Sequence, residues 1–334
     1  MTPVDLKKQL TSLVEKDLDL SVMIWGPPGI GKSSIVSQVA KENDMKFTDL
    51  RLSQLSPTDL RGLPVPNKNK MSWLPPDFLP HTGRGILFLD EINLAPPAIQ
   101  GIAQQLVLDR RVGNLELPQG WHVWAAGNRK EDRASVFDMP APLANRFLHF
   151  DVNPDFASFR KWAIANEVDE RIISLLAFRP DLLHQYSDNS QAWPSARTWA
   201  MADRLLRAGL PIDSAVGEGP AAEFEAYVRV YTKLPDLEAI LGDAGGKIRF
   251  PREASIRFAT TTGLGLRAKT HSQTLSGFRW LTEHASPEWI QLYLCNVMEH
   301  AKAQGHLGMI ATALRDEPGL RKFITEYREL ELAA

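Results

Sequence analysis

Between residues 20 and 152, short apolar runs alternate with segments whose apolar positions recur every three or four residues. The runs 20–25, 46–52, 85–89, 121–126 and 147–152 have the length and near-continuous apolar character of strands buried on both faces. Between the first two lies a segment with Ile35, Val36, Val39 and Ala40 at helical spacing. This alternation predicts a parallel sheet sandwiched between helices, an α/β fold of three layers. Several of the runs end in polar residues, and open sheets of this class bind ligands at the carboxyl ends of their strands.

After Pro154 the pattern turns wholly helical. Phe156, Phe159, Trp162 and Ala163 share one face, and further amphipathic segments follow to about Leu241. Gly242-Asp243-Ala244-Gly245-Gly246 reads as a linker to another helix-rich segment with a charged tail. The expected divisions are therefore 1–152, 153–245 and 246–334. Two hairpin-like stretches interrupt the first. Residues 110–117 place Gly113-Asn114 between short alternating runs and are expected to project. Residues 63–73 carry the polar tip Asn67-Lys68-Asn69-Lys70 between proline-rich apolar flanks. For both, a plain surface loop is the alternative.

At 334 residues the chain is long enough for two or three domains with cores of their own. Its single cysteine, Cys295, excludes an internal disulfide, favours a reducing compartment and reads as a buried, inert thiol among Leu292, Leu294, Val297 and Met298. The first residues lack the apolar core of a signal peptide, and no run approaches the roughly 18 apolar residues of a membrane span, so a soluble cytoplasmic protein is expected. A net charge of −2 with interspersed signs gives no support to a general nucleic-acid surface. The eight histidines show no paired metal-ligand spacing and no serine sits in a nucleophile elbow, which argues against zinc sites and hydrolytic triads.

The chemistry concentrates in Gly26-Pro27-Pro28-Gly29-Ile30-Gly31-Lys32-Ser33, set between the first strand and a helix. Glycines there let successive N–H groups turn inward around the β- and γ-phosphates of a nucleoside triphosphate, with the helix N-terminus aimed at the same anion. Lys32 adds a point charge, and Ser33 offers a hydroxyl to Mg²⁺. Ile86-Leu87-Phe88-Leu89-Asp90-Glu91 delivers two carboxylates from a buried strand: Asp90 to hold Mg²⁺ and Glu91 to polarise an attacking water. Asn128, ending Ala125-Ala126-Gly127-Asn128, suits contact with water and phosphate, although Gly-Asn is also ordinary turn chemistry. Arg146, just before the last strand, is placed to neutralise a transition state, with Arg129 and Arg133 as rivals. Arg197, in a helix opening at Pro194-Ser195, is the candidate from the helical region to reach back to the nucleotide.

This ordered set resembles the AAA+ ATPases. Residues 26–34, Ser34 included, look like their Walker A, ILFLDE like Walker B, Asn128 like sensor 1, Arg146 like the arginine finger and Arg197 like sensor 2. Asp59-Leu60-Arg61-Gly62, the hairpin at 110–117 and Leu143-Ala144-Asn145-Arg146-Phe147 are most similar to the MoxR type, a helix-2-insert clade. The resemblance covers about residues 1–241; the tip at 67–70 and residues 247–334 lie outside the common pattern. It implies a P-loop NTPase core with sheet order 5-1-4-3-2, an all-helical lid, and a helical C-terminal extension. It implies ATP and Mg²⁺, a six-membered homo-oligomeric ring, and work on a protein client with a von Willebrand factor A-domain protein. Two other readings remain: a nucleic-acid motor, with Lys68, Lys70, Arg110 and Arg111 facing a central pore, and a slow nucleotide-gated assembly switch.

Overall fold

The computed structural model describes residues 1–68, 70–129, 137–186, 190–242 and 244–303, together with 305–308, 310, 312 and 317–319. The chain forms two compact units, Met1–Asp155 with Ser195–Arg197, and Phe156–Pro194 with Thr198 onward.

The first unit runs α1 (Pro3–Glu15), β1 (Val22–Trp25), α2 (Lys32–Glu42), β2 (Lys46–Arg51), α3 (Pro57–Arg61), β3 (Leu63–Asn67), β4 (Lys70–Leu74), β5 (Gly85–Asp90), α4 (Pro97–Leu108), β6 (Arg111–Val112), β7 (Leu115–Glu116), β8 (Trp121–Gly127), α5 (Ala141–Ala144) and β9 (Leu148–Asp151). Five strands build an all-parallel sheet in the order β2-β5-β8-β1-β9. Counted along the chain, and read from the β9 edge, that is 5-1-4-3-2, the order the resemblance implies. Each strand's alternate residues enter opposite layers, because side chains on a strand point to opposite faces. Met23, Leu87, Leu89, Val123 and Ala125 pack with Ile99, Ile102 and Leu106 of α4. Val22, Ile24, Ile86, Phe88 and Trp124 pack with Leu6 and Leu10 of α1 and Val36 and Val39 of α2. The sheet register brings Arg51 level with Asp90, and Trp25 level with both Gly127 and Asp151, so the carboxyl ends of all five strands lie along one edge.

Both hairpins form, β3–β4 and β6–β7, each antiparallel. The second does not project as expected. Val112, Leu115 and Leu117 are buried in the α4-side core, and a Cβ on Gly113, which has φ +56°, would lie 2.9 Å from the Arg61 carbonyl oxygen and 3.6 Å from Trp73. Its turn is seated on the base of the other hairpin. Arg110 is likewise held inside this unit, in an ion pair with Asp19 at 2.8 Å and a hydrogen bond to the Trp121 carbonyl, so it is not a free pore cation. Lys68 is exposed, while the Lys70 side chain lies outside the described residues.

The second unit comprises α6 (Phe156–Ala165), α7 (Glu170–Phe178), α8 (Ala196–Arg207, from Thr198 on), α9 (Asp213–Val216), α10 (Glu218–Tyr231), α11 (Leu237–Leu241), α12 (Ala254–Arg267), α13 (His271–His284) and α14 (Pro287–Ala303). The division expected at 245/246 runs through its interior. Leu237, Ile240 and Leu241 share one core with Leu264, Phe278, Leu281, Tyr293 and Val297, and Gly245 sits so close to Ile240 that a Cβ would come within 2.9 Å of its Cα. Gly245 therefore permits close packing and does not loosen a linker, while Gly246 faces open space. Cys295 is exposed, contrary to expectation. On α14 the buried apolar positions are Ile290, Tyr293, Val297 and Ala301, a 3-4-4 spacing that turns residue 295 to the opposite face. Of the charged tail, residues 320–334 lie outside the described residues.

Candidate nucleotide-binding site

The loop between β1 and α2 owes its shape to three glycines. Gly29 and Gly31 adopt φ +85° and +95°, a left-handed conformation that side chains resist. Gly26 is required by space, since a Cβ there would sit 2.6 Å from the Val152 carbonyl oxygen and 2.7 Å from Ile30. Gly31 is also the N-cap of α2 and supplies no capping side chain, so the first-turn N–H groups of the helix are left to an anion. Lys32 is buried, and its ammonium donates to Gly26 O at 2.6 Å, Pro27 O at 3.1 Å and Asn128 Oδ1 at 3.0 Å. The same lysine thus ties two neighbouring stretches of the sheet edge together, the β1 loop and the end of β8. Ser34 is exposed on the first turn of α2.

The two carboxylates are each held by a serine. Asp90 accepts from the Ser33 hydroxyl at 2.7 Å through Oδ2 and from the Glu91 N–H at 2.9 Å through Oδ1. Glu91 itself adopts φ +56°, uncommon for a residue other than glycine, and such strain gathers at functional sites. Its Oε2 accepts from the Ser53 hydroxyl at 2.6 Å. Asp49, on the neighbouring strand β2, has its carboxyl pushed above the usual range, first by burial and then by the charge of Asp90, with Arg51 opposing and Glu91 adding a smaller push. Three carboxylates at one edge create a field that favours a cation. Ser33 and Asp90 are hard oxygen donors, and the described residues hold no cluster of three or more His, Cys, Asp or Glu suited to a metal. Two oxygen ligands without a full protein cage fit Mg²⁺, which keeps waters and shares substrate phosphate.

Asn128 is fixed by a residue that sequence reading missed. The buried Asn93 amide donates to Asn128 O at 2.6 Å and accepts from the Asn128 N–H at 3.2 Å, a reciprocal clamp on that residue's backbone. Gly127 makes room for it, because a Cβ there would lie 2.5 Å from Asn93 Oδ1. The signals were present: Asn93 interrupts an apolar stretch two residues after the acids, and Ser53 follows the carboxyl end of a strand.

The arginines differ. Arg146 is exposed, and its side chain has no hydrogen-bond or ion-pair partner among the described residues, so it stands apart from the cluster. Arg129 donates to Asn153 Oδ1 at 2.9 Å. Arg133 lies outside the described residues. Arg197 meets the loop through its backbone, its N–H donating to Gly29 O at 3.1 Å, while its side chain is exposed.

In comparisons with known proteins, the family described as the AAA domain (dynein-related subfamily) matches residues 21–147. Midasin from Giardia intestinalis is 25% identical over 154 residues, which is 43% of this chain and 3% of that protein's length. Among solved structures, a point mutant of RuvB from Thermotoga maritima aligns with TM-score 0.40 and 16% identity over 83% of this chain and 85% of that one. NtrX from Brucella abortus in complex with ADP aligns with TM-score 0.40 and 15% identity over 92% of this chain and 67% of its own. Loop, acids, Asn93, Asn128 and Arg146 all fall inside the matched span, so the segment that carries the site is similar to an AAA domain of the dynein-related subfamily.

Proposed function

We propose that the chain is an ATP phosphohydrolase of the AAA+ type and MoxR kind. In this reading it works as a homo-oligomeric ring of six in the cytoplasm and uses hydrolysis to remodel or activate a protein client beside a von Willebrand factor A-domain adaptor. The observation that carries the ATPase reading is one connected cluster at the sheet edge: Lys32 bound to Asn128, and Ser33 bound to Asp90 with Glu91 next in the chain.

The loop and the first turn of α2 donate backbone N–H groups to the phosphates of ATP, and Lys32 is the charge available to the β- and γ-phosphates. Ser33 and Asp90 would hold Mg²⁺, which would supply positive charge to offset the negative charge developing on the phosphates. Glu91 accepts a hydrogen bond from the attacking water and polarises it. The Asn128 amide presents its oxygen to Lys32, which leaves its NH₂ to donate to water or to the γ-phosphate. Arg146, unpartnered within its own subunit's described residues, neutralises the transition state from a neighbouring subunit, and Arg197, grouped with the first unit and bonded by its N–H to Gly29 O, adds its charge to the nucleotide.

A protein client is supported by the β3–β4 hairpin, where Leu63, Met71 and Leu74 are each about 60% exposed. Arg110, committed to Asp19, weakens the nucleic-acid reading. Measuring nucleotide binding and turnover of two variants tests the reading. Lys32→Ala is expected to lose tight ATP binding. Glu91→Gln is expected to keep binding while turnover falls about 10²-fold or more. Near-normal hydrolysis by Glu91→Gln would remove the assigned base. An ATPase stimulated by DNA or RNA, and losing that stimulation between about 50 and 200 mM salt, would favour the nucleic-acid motor instead.

A further inference from the structure

We propose that His149 is a positioning residue for Arg146, with Trp25 holding it in the tautomer this requires. The inference rests on the reading of Arg146 as an arginine that acts on nucleotide.

Arg146 is offered by a short turn. Arg146 N–H donates to Leu143 O at 3.1 Å and Phe147 N–H to Ala144 O at 3.2 Å. Leu143 and Phe147 are buried in the core on either side, so the turn is pinned at two points and the arginine is turned outward between them. With no partner for its side chain among the described residues, the direction in which that side chain leaves the chain is set by the backbone of this turn. The Ala144 carbonyl has a second partner, His149 Nε2, at 2.8 Å.

The other ring nitrogen settles the chemistry. His149 Nδ1 lies 2.8 Å from Trp25 Nε1, and an indole N–H only donates. Nδ1 therefore carries a lone pair, the neutral ring has its proton on Nε2, and that proton goes to the Ala144 carbonyl. The Trp25 and His149 ring planes lie within 6° of each other, as an in-plane N–H···N bond needs, and the Phe147 ring meets His149 edge-on with centroids 6.4 Å apart. Trp25 is the last residue of β1 and precedes Gly26. One imidazole thus joins the residue before the phosphate loop to the turn that presents Arg146. His149 is exposed, and an exposed hydrogen bond exchanges readily with water, so these bonds contribute little to stability. Their effect lies in aim.

The test is steady-state ATPase of the full chain for wild type, Arg146→Ala, His149→Ala and His149→Gln, with melting temperature and nucleotide affinity measured alongside. Arg146→Ala is expected to lower kcat about 10³-fold. His149→Ala is expected to lower kcat about tenfold, within the range a misplaced group can cost, with KM and melting temperature unchanged. His149→Gln keeps one acceptor and one donor on a single amide and is expected to recover most of the rate. Undiminished kcat in Arg146→Ala would fail the arginine reading itself. A large loss in Arg146→Ala with wild-type kcat in His149→Ala would overturn the positioning role and leave the arginine reading standing. A His149→Gln variant no better than His149→Ala would overturn it too. In rings mixed equally with Lys32→Ala subunits, which lack a working site but keep an intact turn, roughly a quarter of junctions join a live site to an intact Arg146, so about that share of activity should return for His149→Ala. No return there, when Arg146→Ala does recover in the same mixture, would place the effect of His149 on its own phosphate loop and overturn the proposal.

Discussion

Asn93→Ala removes both arms of the clamp on Asn128 while leaving unchanged every residue proposed to meet nucleotide. Two hydrogen bonds are lost, at 2.6 and 3.2 Å, and each is worth about 1 kcal/mol net when its partners remain satisfied by water. Asn93 is buried and Asn128 only half-buried, so water reaches the freed backbone groups in part, and the sum comes to about 2–3 kcal/mol. For a unit of this size that corresponds to a fall of about 5–10 °C in Tm. Catalysis should fall as well, because the Asn128 side chain reaches Lys32 only from the position the clamp gives it. Asn128→Ala provides the contrast: it removes one acceptor of Lys32, leaves those at Gly26 O and Pro27 O and the clamp in place, and is expected to lower kcat with less than about 1 kcal/mol of stability lost. Gly127→Ala attacks the same clamp from the other side by crowding Asn93 Oδ1, and it also crowds Met23 Cε at 2.8 Å. Combined with Asn93→Ala its cost should shrink, with an interaction above about 0.5 kcal/mol. Thermal and denaturant unfolding, read beside kcat, decide the matter. An Asn93→Ala protein that melts within a degree of wild type and turns over normally would refute the argument, as would strict additivity with Gly127→Ala.

Ser53→Ala is expected to raise basal ATPase several-fold with KM unchanged, because the Glu91 carboxylate no longer accepts the serine's hydrogen bond and has that lone pair for water; an unchanged rate would show that the bond has no bearing on turnover. Asp49→Asn bears on stability against pH. A carboxyl raised in the folded state by burial and by Asp90 and Glu91 disfavours folding above its folded pKa and has no effect below the ordinary carboxylate range. The variant should therefore be more stable than wild type at pH 7, and the advantage should vanish below about pH 4. Melting curves that run parallel across that interval would contradict it.

Much of the fold was legible because its signals are local. Four consecutive apolar residues followed by two acids read as a strand buried on both faces that reaches an edge, and Ile86–Leu89 alternate between the two cores as that reading requires. The glycines at 26, 29 and 31 announced the loop for the same reason. What was misjudged depended on packing that a linear reading cannot supply. Glycines at 242–246 look like a hinge in sequence, yet Gly245 is small because Ile240 lies against it. Gly113-Asn114 marked the turn correctly, but not that the turn is seated on Arg61 and Trp73. Cys295 sits in an apolar stretch of helix, and only the face chosen by Tyr293 and Val297 decides that it points away from the core.

The residues missed at the site share a property that explains why they were missed. Ser53, Asn93 and His149 have no assigned role in transferring a phosphoryl group; Asn93 and His149 hold backbone that does the presenting, through bonds of 2.6 and 2.8 Å, while Ser53 occupies the Glu91 carboxylate at 2.6 Å. Residue types that carry charge to a substrate are recognisable from spacing alone, because the chemistry fixes both type and distance along the chain. A holding residue needs only a donor or acceptor at the right point in space, which a serine, an asparagine or a histidine from almost any element can supply. Its place in the sequence is therefore set by the fold: 38 positions separate Ser53 from Glu91 and 35 separate Asn93 from Asn128. Sites of this kind must be held to within a fraction of an ångström to work. The holding shell thus has as large a claim on rate as the groups it aims, and the Lys32–Asn128–Asn93 chain, running from the β1 loop to the segment after β5 by way of the end of β8, is where that claim is most directly measurable.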